Sequence, residues 1–122
     1  MIVVTAIAAG LAVVASPAQA HHRDNAYCNP TGDLCQSTAK VDGVRRLQIR
    51  TFDRLFARYK VCVTAPDDSR TCRRFRMRDA GEDSWASSIR WSRHFPYRGE
   101  GAYTVRWRVQ GAKIGESLGF HS

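Results

Sequence analysis

Two groups of side chains combine residue type and spacing in ways that could do chemistry. The first is His21-His22, which directly follows Ala18-Gln19-Ala20. Small residues three and one positions before a cut suit signal peptidase, so cleavage is expected after Ala20. His21 would then carry a terminal amine and an imidazole on one residue. Together they form a chelating pair for Cu(II), with His22 as a neighbouring nitrogen donor. The second group is the arginine series Arg74, Arg76 and Arg78, echoed later by Arg106 and Arg108. A spacing of two puts the members of each set on one face of a strand. Guanidinium groups grip phosphate and carboxylate bidentately, so two such strands would make a basic stripe able to hold a polyanion. The competing reading is a solvated outer face whose charges keep sheet edges from pairing.

Other chemistry has thinner support. Trp85, Trp91 and Trp107 include two residues at core phase, leaving Trp85 as the candidate for stacking on a carbohydrate. H-E-x-x-H, P-loop and C-x-x-C motifs are all missing, and His94 with Asp79 and Ser92 is a combination almost any chain offers. The expectation is therefore a protein that is not an enzyme. Aromatic side chains are not interleaved with the arginines: Tyr103, Trp107 and Phe75 fall on the opposite phase, as does Met77. This argues against nucleic acid as the partner.

Cys28, Cys35, Cys62 and Cys72 are the only cysteines. In a small exported chain they read as two disulfides. Three pairings are open, and the sequential one, Cys28–Cys35 with Cys62–Cys72, is preferred. Asn29-Pro30-Thr31-Gly32-Asp33 and Pro66-Asp67-Asp68-Ser69 each supply turn chemistry between a pair. Zinc is the rival reading, but the close Cys pairs of zinc sites are missing.

These side chains need a compartment and a scaffold. Ile2 to Ala15 is an uncharged apolar run, so residues 1–20 read as a signal peptide and 21–122 as one secreted domain beginning with a loose arm, 21–26. No Lys or Arg precedes the run, so either the true start codon lies upstream of the assigned one, the preferred reading, or the signal is atypical. The run is too short to span a bilayer comfortably, and no second apolar segment suggests an anchor in the mature chain. The formal net charge is +8, and Arg supplies 16 of the 19 basic side chains. Such a balance favours anionic partners, although a GC-rich genome alone also raises arginine.

The scaffold is organised around Gly99 to Phe120. Tyr103, Val105, Trp107 and Val109 alternate with Ala102, Thr104, Arg106 and Arg108, which is the period of a half-buried strand. Gln110 to Lys113 reads as a turn and Ile114 to Phe120 as the returning strand. Upstream, 43–51, 59–64 and 72–78 read as strands, with 52–58 either a helical turn or an irregular crossover. Tyr27 to Lys40 reads as turn-rich, residues 79–84 as a loop, and Trp85 to Phe95 as a strand carrying Ile89, Trp91 and Phe95 inward. About six or seven short strands between turn signals predict an all-β antiparallel sandwich of immunoglobulin-like type, with two disulfides.

Gly99-Glu100-Gly101-Ala102-Tyr103-Thr104-Val105 is similar to the corner of immunoglobulin-like domains, where a Tyr early in a late strand hydrogen-bonds back to the chain. Val105 stands where antibody domains place their second core cysteine, so their inter-sheet disulfide is not expected. The run Tyr103 to Val109 also resembles the late strand of small secreted bacterial copper-resistance domains of the CopC-like kind. That resemblance implies the sandwich fold and an N-terminal His ligand, which His21 matches. It also implies an Asp and a His near the late strands, and Gln110-Gly111-Ala112-Lys113 supplies neither. His94 and His121 are then the remaining imidazoles. The expected protein is a monomeric secreted or envelope binding module for another protein or an anionic envelope polymer, without a cofactor. A copper-binding protein is the alternative, and an inhibitor presenting Asn29 to Leu34 to a secreted hydrolase is a third reading.

Overall fold

In the computed structural model, which describes residues 25–122, the period-two stretches form ten strands and one helical turn. They are β1 (Ala26–Cys28), β2 (Leu34–Ser37), β3 (Lys40–Val41), β4 (Val44–Phe52), β5 (Arg58–Thr64), β6 (Arg70–Arg76), β7 (Arg78–Gly81) and β8 (Ser84–Arg90). After these come α1 (Trp91–His94), β9 (Ala102–Val109) and β10 (Ala112–His121). Residues 1–20, expected to be a signal peptide, and the candidate copper ligands His21 and His22 lie outside the described residues.

All pairing is antiparallel. One sheet runs β10-β9-β5-β6; the other runs β1-β2-β4-β8-β7, with β3 paired to the start of β4. Inward side chains of the two sheets meet as an all-β sandwich. Val61, Val105 and Trp107 come from the first sheet, and Leu47 and Ile49 from the second. Tyr59 reaches across the core, its hydroxyl 2.6 Å from Ser87 Oγ. The open side between β2 and β10 is closed by two buried polar side chains. Thr38 Oγ1 donates to the Gly119 carbonyl at 2.7 Å. Gln36 Nε2 donates to the Ile114 carbonyl at 3.3 Å, and Gln36 Oε1 accepts from the Glu116 amide at 3.0 Å. Between these two contacts Gly115 takes φ +64°, in the register shift where β10 departs from β9. A Cβ there would run into the Gln36 amide, so the bulge and the glutamine fit only around a glycine.

Both disulfides form as the sequential pairing, Cys28–Cys35 and Cys62–Cys72. Each joins directly opposed residues of a hairpin, β1–β2 and β5–β6. The tyrosine corner is present as well. Tyr103 Oη donates to the Gly99 carbonyl at 2.7 Å and accepts from the Arg98 amide at 2.8 Å.

Three segments differ from the sequence expectations, each for a local reason. Tyr27 to Lys40 is a disulfide-pinned hairpin rather than turns alone, because strands of three and four residues are too short to show a period. Residues 79–84 include β7 and a tight turn at Glu82 and Asp83, both with positive φ. The β8 strand stops at Arg90, and Trp91 to His94 is a helical turn whose first carbonyl accepts the Phe95 amide. Trp91 and Phe95 are nevertheless both buried, since a separation of four returns to the same face in a helix as in a strand. Of the two readings of 52–58, the irregular crossover is the one that forms, between the sheets, with Asp53 at φ 63° and the Leu55 amide bonded to the Asp53 carbonyl.

Candidate functional site

The outward face of the first sheet is where the arginine pattern becomes a surface. Along β5, Tyr59, Val61 and Val63 point into the core, so Arg58, Lys60, Cys62 and Thr64 point out. The same alternation turns Arg106 and Arg108 out from β9, and Arg70, Cys72, Arg74 and Arg76 out from β6. Register then decides which of these are neighbours. Lys113 of β10 is paired with Arg108, Arg108 with Lys60, and Lys60 with Arg74. Four basic residues therefore lie in one row across all four strands, spanning about 14 Å at ordinary strand spacing. Arg58 and Arg76 form the next row, and Arg106 stands opposite Cys62 beside the Cys62–Cys72 bridge. Arg70 donates to Cys62 Sγ at 3.5 Å.

Of the expected stripe, Arg74, Arg76, Arg106 and Arg108 thus share a face. Arg78 does not. The chain switches sheets at buried Met77, whose amide donates to the Ala57 carbonyl, and Arg78 enters β7, paired with Ala86 of the second sheet. A spacing of two keeps residues on one face only while a single strand continues. Arg58, Lys60, Arg70 and Lys113 belong to the face but escaped the sequence reading. The inward Tyr59-Val61-Val63 phase fixes Lys60 as outward on the recognised strand 59–64, and the same phase carried one residue back fixes Arg58.

A pocket of about 490 Å³ opens at one end of this face, between the crossover and the β9–β10 turn. Arg58, Lys60, Arg74 and Arg108 line it together with Leu55, Phe56 and Val109. Leu55 is 57% exposed, among the most exposed large apolar side chains of the described residues. Arg108 donates through Nη1 to the Gly111 carbonyl at 3.2 Å, while its buried Nε has no hydrogen-bond partner.

The remaining candidates are not assembled into sites. His94 packs edge-on against Phe75 of β6 at 5.0 Å, whereas His121 ends β10. These are opposite edges of one sheet, three strand spacings apart, too far for one metal ion. Partial burial, then the nearby Arg93 and Arg73, holds the His94 imidazole below its ordinary pKa. Among the described residues no three His, Cys, Asp or Glu side chains cluster as metal ligands would. Asp79 uses its carboxylate on the Gly81 amide at 2.8 Å, at the β7 turn. Trp85 is half-buried against the core, with the Arg54 guanidinium 5.1 Å above its ring. That face is occupied rather than offered to a sugar. Asn29 to Leu34 is a self-bonded turn: the Asn29 amide donates to the Leu34 carbonyl, and Asn29 Oδ1 accepts from the Leu34 amide. Leu34 itself is buried. No described helix is long and apolar enough to cross a membrane.

Compared with protein-family models, curated proteins and solved structures, the chain matches none.

Proposed function

We propose that the outward face of the β10-β9-β5-β6 sheet binds an anionic polymer of the cell envelope or extracellular space. The observation that carries this reading is the row Lys113–Arg108–Lys60–Arg74, in which like charges are direct cross-strand partners. Opposed like charges destabilise a sheet, by up to about 1 kcal/mol per pair relative to small neutral residues. A sequence selected for folding alone would avoid placing three such pairs side by side, and departures of this kind concentrate where a protein does its work.

Edge protection does not account for the row. It explains basic residues on β6, which lies at the edge of its sheet. It gives no reason for Lys60 and Arg108, because β5 and β9 are paired on both sides and have no free edge. A chain of phosphates or carboxylates laid across the face would neutralise the row and release its counterions. The aromatic side chains of these strands, Tyr59, Phe75, Tyr103 and Trp107, lie on the inward phase, so the face has no stacking platform for nucleotide bases. Two disulfides suit the oxidising compartments in which such polymers occur.

The test is the salt dependence of binding to poly(glycerol phosphate), measured by fluorescence anisotropy with an end-labelled chain. Four neutralised phosphates give a slope of log affinity against log salt of about −3, using the single-strand value per contact. A slope near zero, or equal binding to an uncharged dextran, would remove the reading.

A further inference from the structure

The pocket at the end of the basic row has two unlike walls, and that combination selects a ligand. On one side stand Arg58, Lys60, Arg74 and Arg108, and no acidic residue lines the pocket with them. On the other stand Leu55, Phe56, Ala57 and Val109. Its volume of about 490 Å³ falls within the usual range of small-molecule sites. A polymer crossing the sheet would use only the basic wall. The apolar wall, with Leu55 held 57% exposed at its rim, would gain nothing from such a chain.

We infer that this pocket receives a phosphate monoester carried on an aliphatic chain, with the phosphate on the four basic side chains and the hydrocarbon against Leu55 and Phe56. Phosphate fits better than carboxylate because four cations meet there. A monoester brings nearly two negative charges at neutral pH, where a carboxylate brings one. It also offers three acceptor oxygens to the planar guanidinium forks of Arg58, Arg74 and Arg108, which line the pocket. The inference rests on the polyanion reading for the attraction of the face to phosphate, and adds a requirement for hydrocarbon that the polymer does not meet. Two sources share this chemistry: a free alkyl phosphate in solution and a lipid phosphate in a membrane leaflet.

The test titrates the full disulfide-bonded protein with hexyl phosphate, inorganic phosphate and poly(glycerol phosphate) in parallel, by calorimetry. Hexyl phosphate is expected to bind at least tenfold more tightly than inorganic phosphate, because the pocket removes alkyl surface from water. Leu55→Ser is expected to erase that advantage while leaving poly(glycerol phosphate) affinity within about twofold, since Leu55 is exposed and outside the core. Arg74→Glu is expected to weaken all three. If hexyl phosphate binds no better than inorganic phosphate while the polymer still binds, the pocket inference falls and the face reading stands. If hexyl phosphate binds with the Leu55 dependence while the polymer does not, the face reading falls and the pocket stands. Vesicles of phosphatidylcholine with 20% phosphatidic acid then separate the sources. Leu55-dependent vesicle binding assigns the lipid, and Leu55-dependent hexyl phosphate binding without vesicle binding assigns the free amphiphile.

Discussion

Replacing Gln36 and Gly115 separately and together should reveal a single joint that neither substitution can damage twice. The Gln36 amide bonds to both the Ile114 carbonyl and the Glu116 amide, and Gly115 lies between them at φ +64°. Gln36→Ala removes both bonds and leaves one donor and one acceptor without partners in a mostly buried seam. At about 1–3 kcal/mol for each unsatisfied group, part of it relieved by water, the loss is about 2–4 kcal/mol. For a domain near 100 residues that lowers Tm by roughly 10–25 °C. Gly115→Ala costs about 1 kcal/mol for placing a side chain at positive φ. Its methyl also displaces the Gln36 amide, breaking the same two bonds, for a total of about 3–5 kcal/mol. In the double variant the methyl meets no amide, so only the backbone cost is added to the loss from Gln36→Ala. The double variant should therefore lose about 2–4 kcal/mol less than the sum of the singles, read from urea unfolding of all four proteins. Additivity within about 0.5 kcal/mol would refute the joint.

Other perturbations have equally definite outcomes. Burial pushes the Tyr59 phenol up to about 12, against a smaller opposing pull from Ser87, from an ordinary value of 10. The fold thus favours the neutral phenol. This contribution is complete below pH 10 and is lost as pH rises through 12; it amounts to about 3 kcal/mol. Stability of Tyr59→Phe, followed by chemical unfolding between pH 10 and 12, should fall by about that much less than the parent's. Tyr103→Phe removes the hydroxyl that holds Gly99 and Arg98 and should cost about 1–3 kcal/mol in urea unfolding. Replacing Cys62 and Cys72 by Ala opens a loop of sequence separation 10. It should lower stability by roughly 2.5 kcal/mol on the loop-entropy account, and an unchanged urea midpoint would contradict that account.

The central strands and the corner were legible because their signals are local. Alternation in Tyr103 to Val109 placed β9 and its outward arginines, and Gly99 to Tyr103 carried the corner. Turn residues inside each cysteine pair gave the sequential disulfides. The Asp42-Gly43 turn between β3 and β4 was legible too and went unread, although Asp-Gly is a strong hairpin signal and both residues take positive φ. Register was not legible. Nothing local says that Arg108 faces Lys60 and Lys60 faces Arg74, because that depends on how β5, β6 and β9 slide past one another. The sheet switch at Met77 was hidden for a related reason: Cys72 to Arg78 keeps one period throughout, and only the packing of Met77 behind Ala57 shows where the strand ends. The Gln36 joint links residues about eighty positions apart, with no pattern in either segment to announce it.

The most direct test of the central claim is Lys60→Glu, with stability and polymer affinity measured on the same preparation. Lys60 sits between Arg108 and Arg74, so its reversal turns two repulsive cross-strand pairs into two attractive ones. If the row is kept for an anionic ligand at the expense of the sheet, the variant should be more stable by about 0.5–2 kcal/mol. It should also bind poly(glycerol phosphate) at least tenfold more weakly at low salt, from the loss of attraction and the added repulsion. A variant that is more stable and binds the polymer as well as the parent would contradict the account.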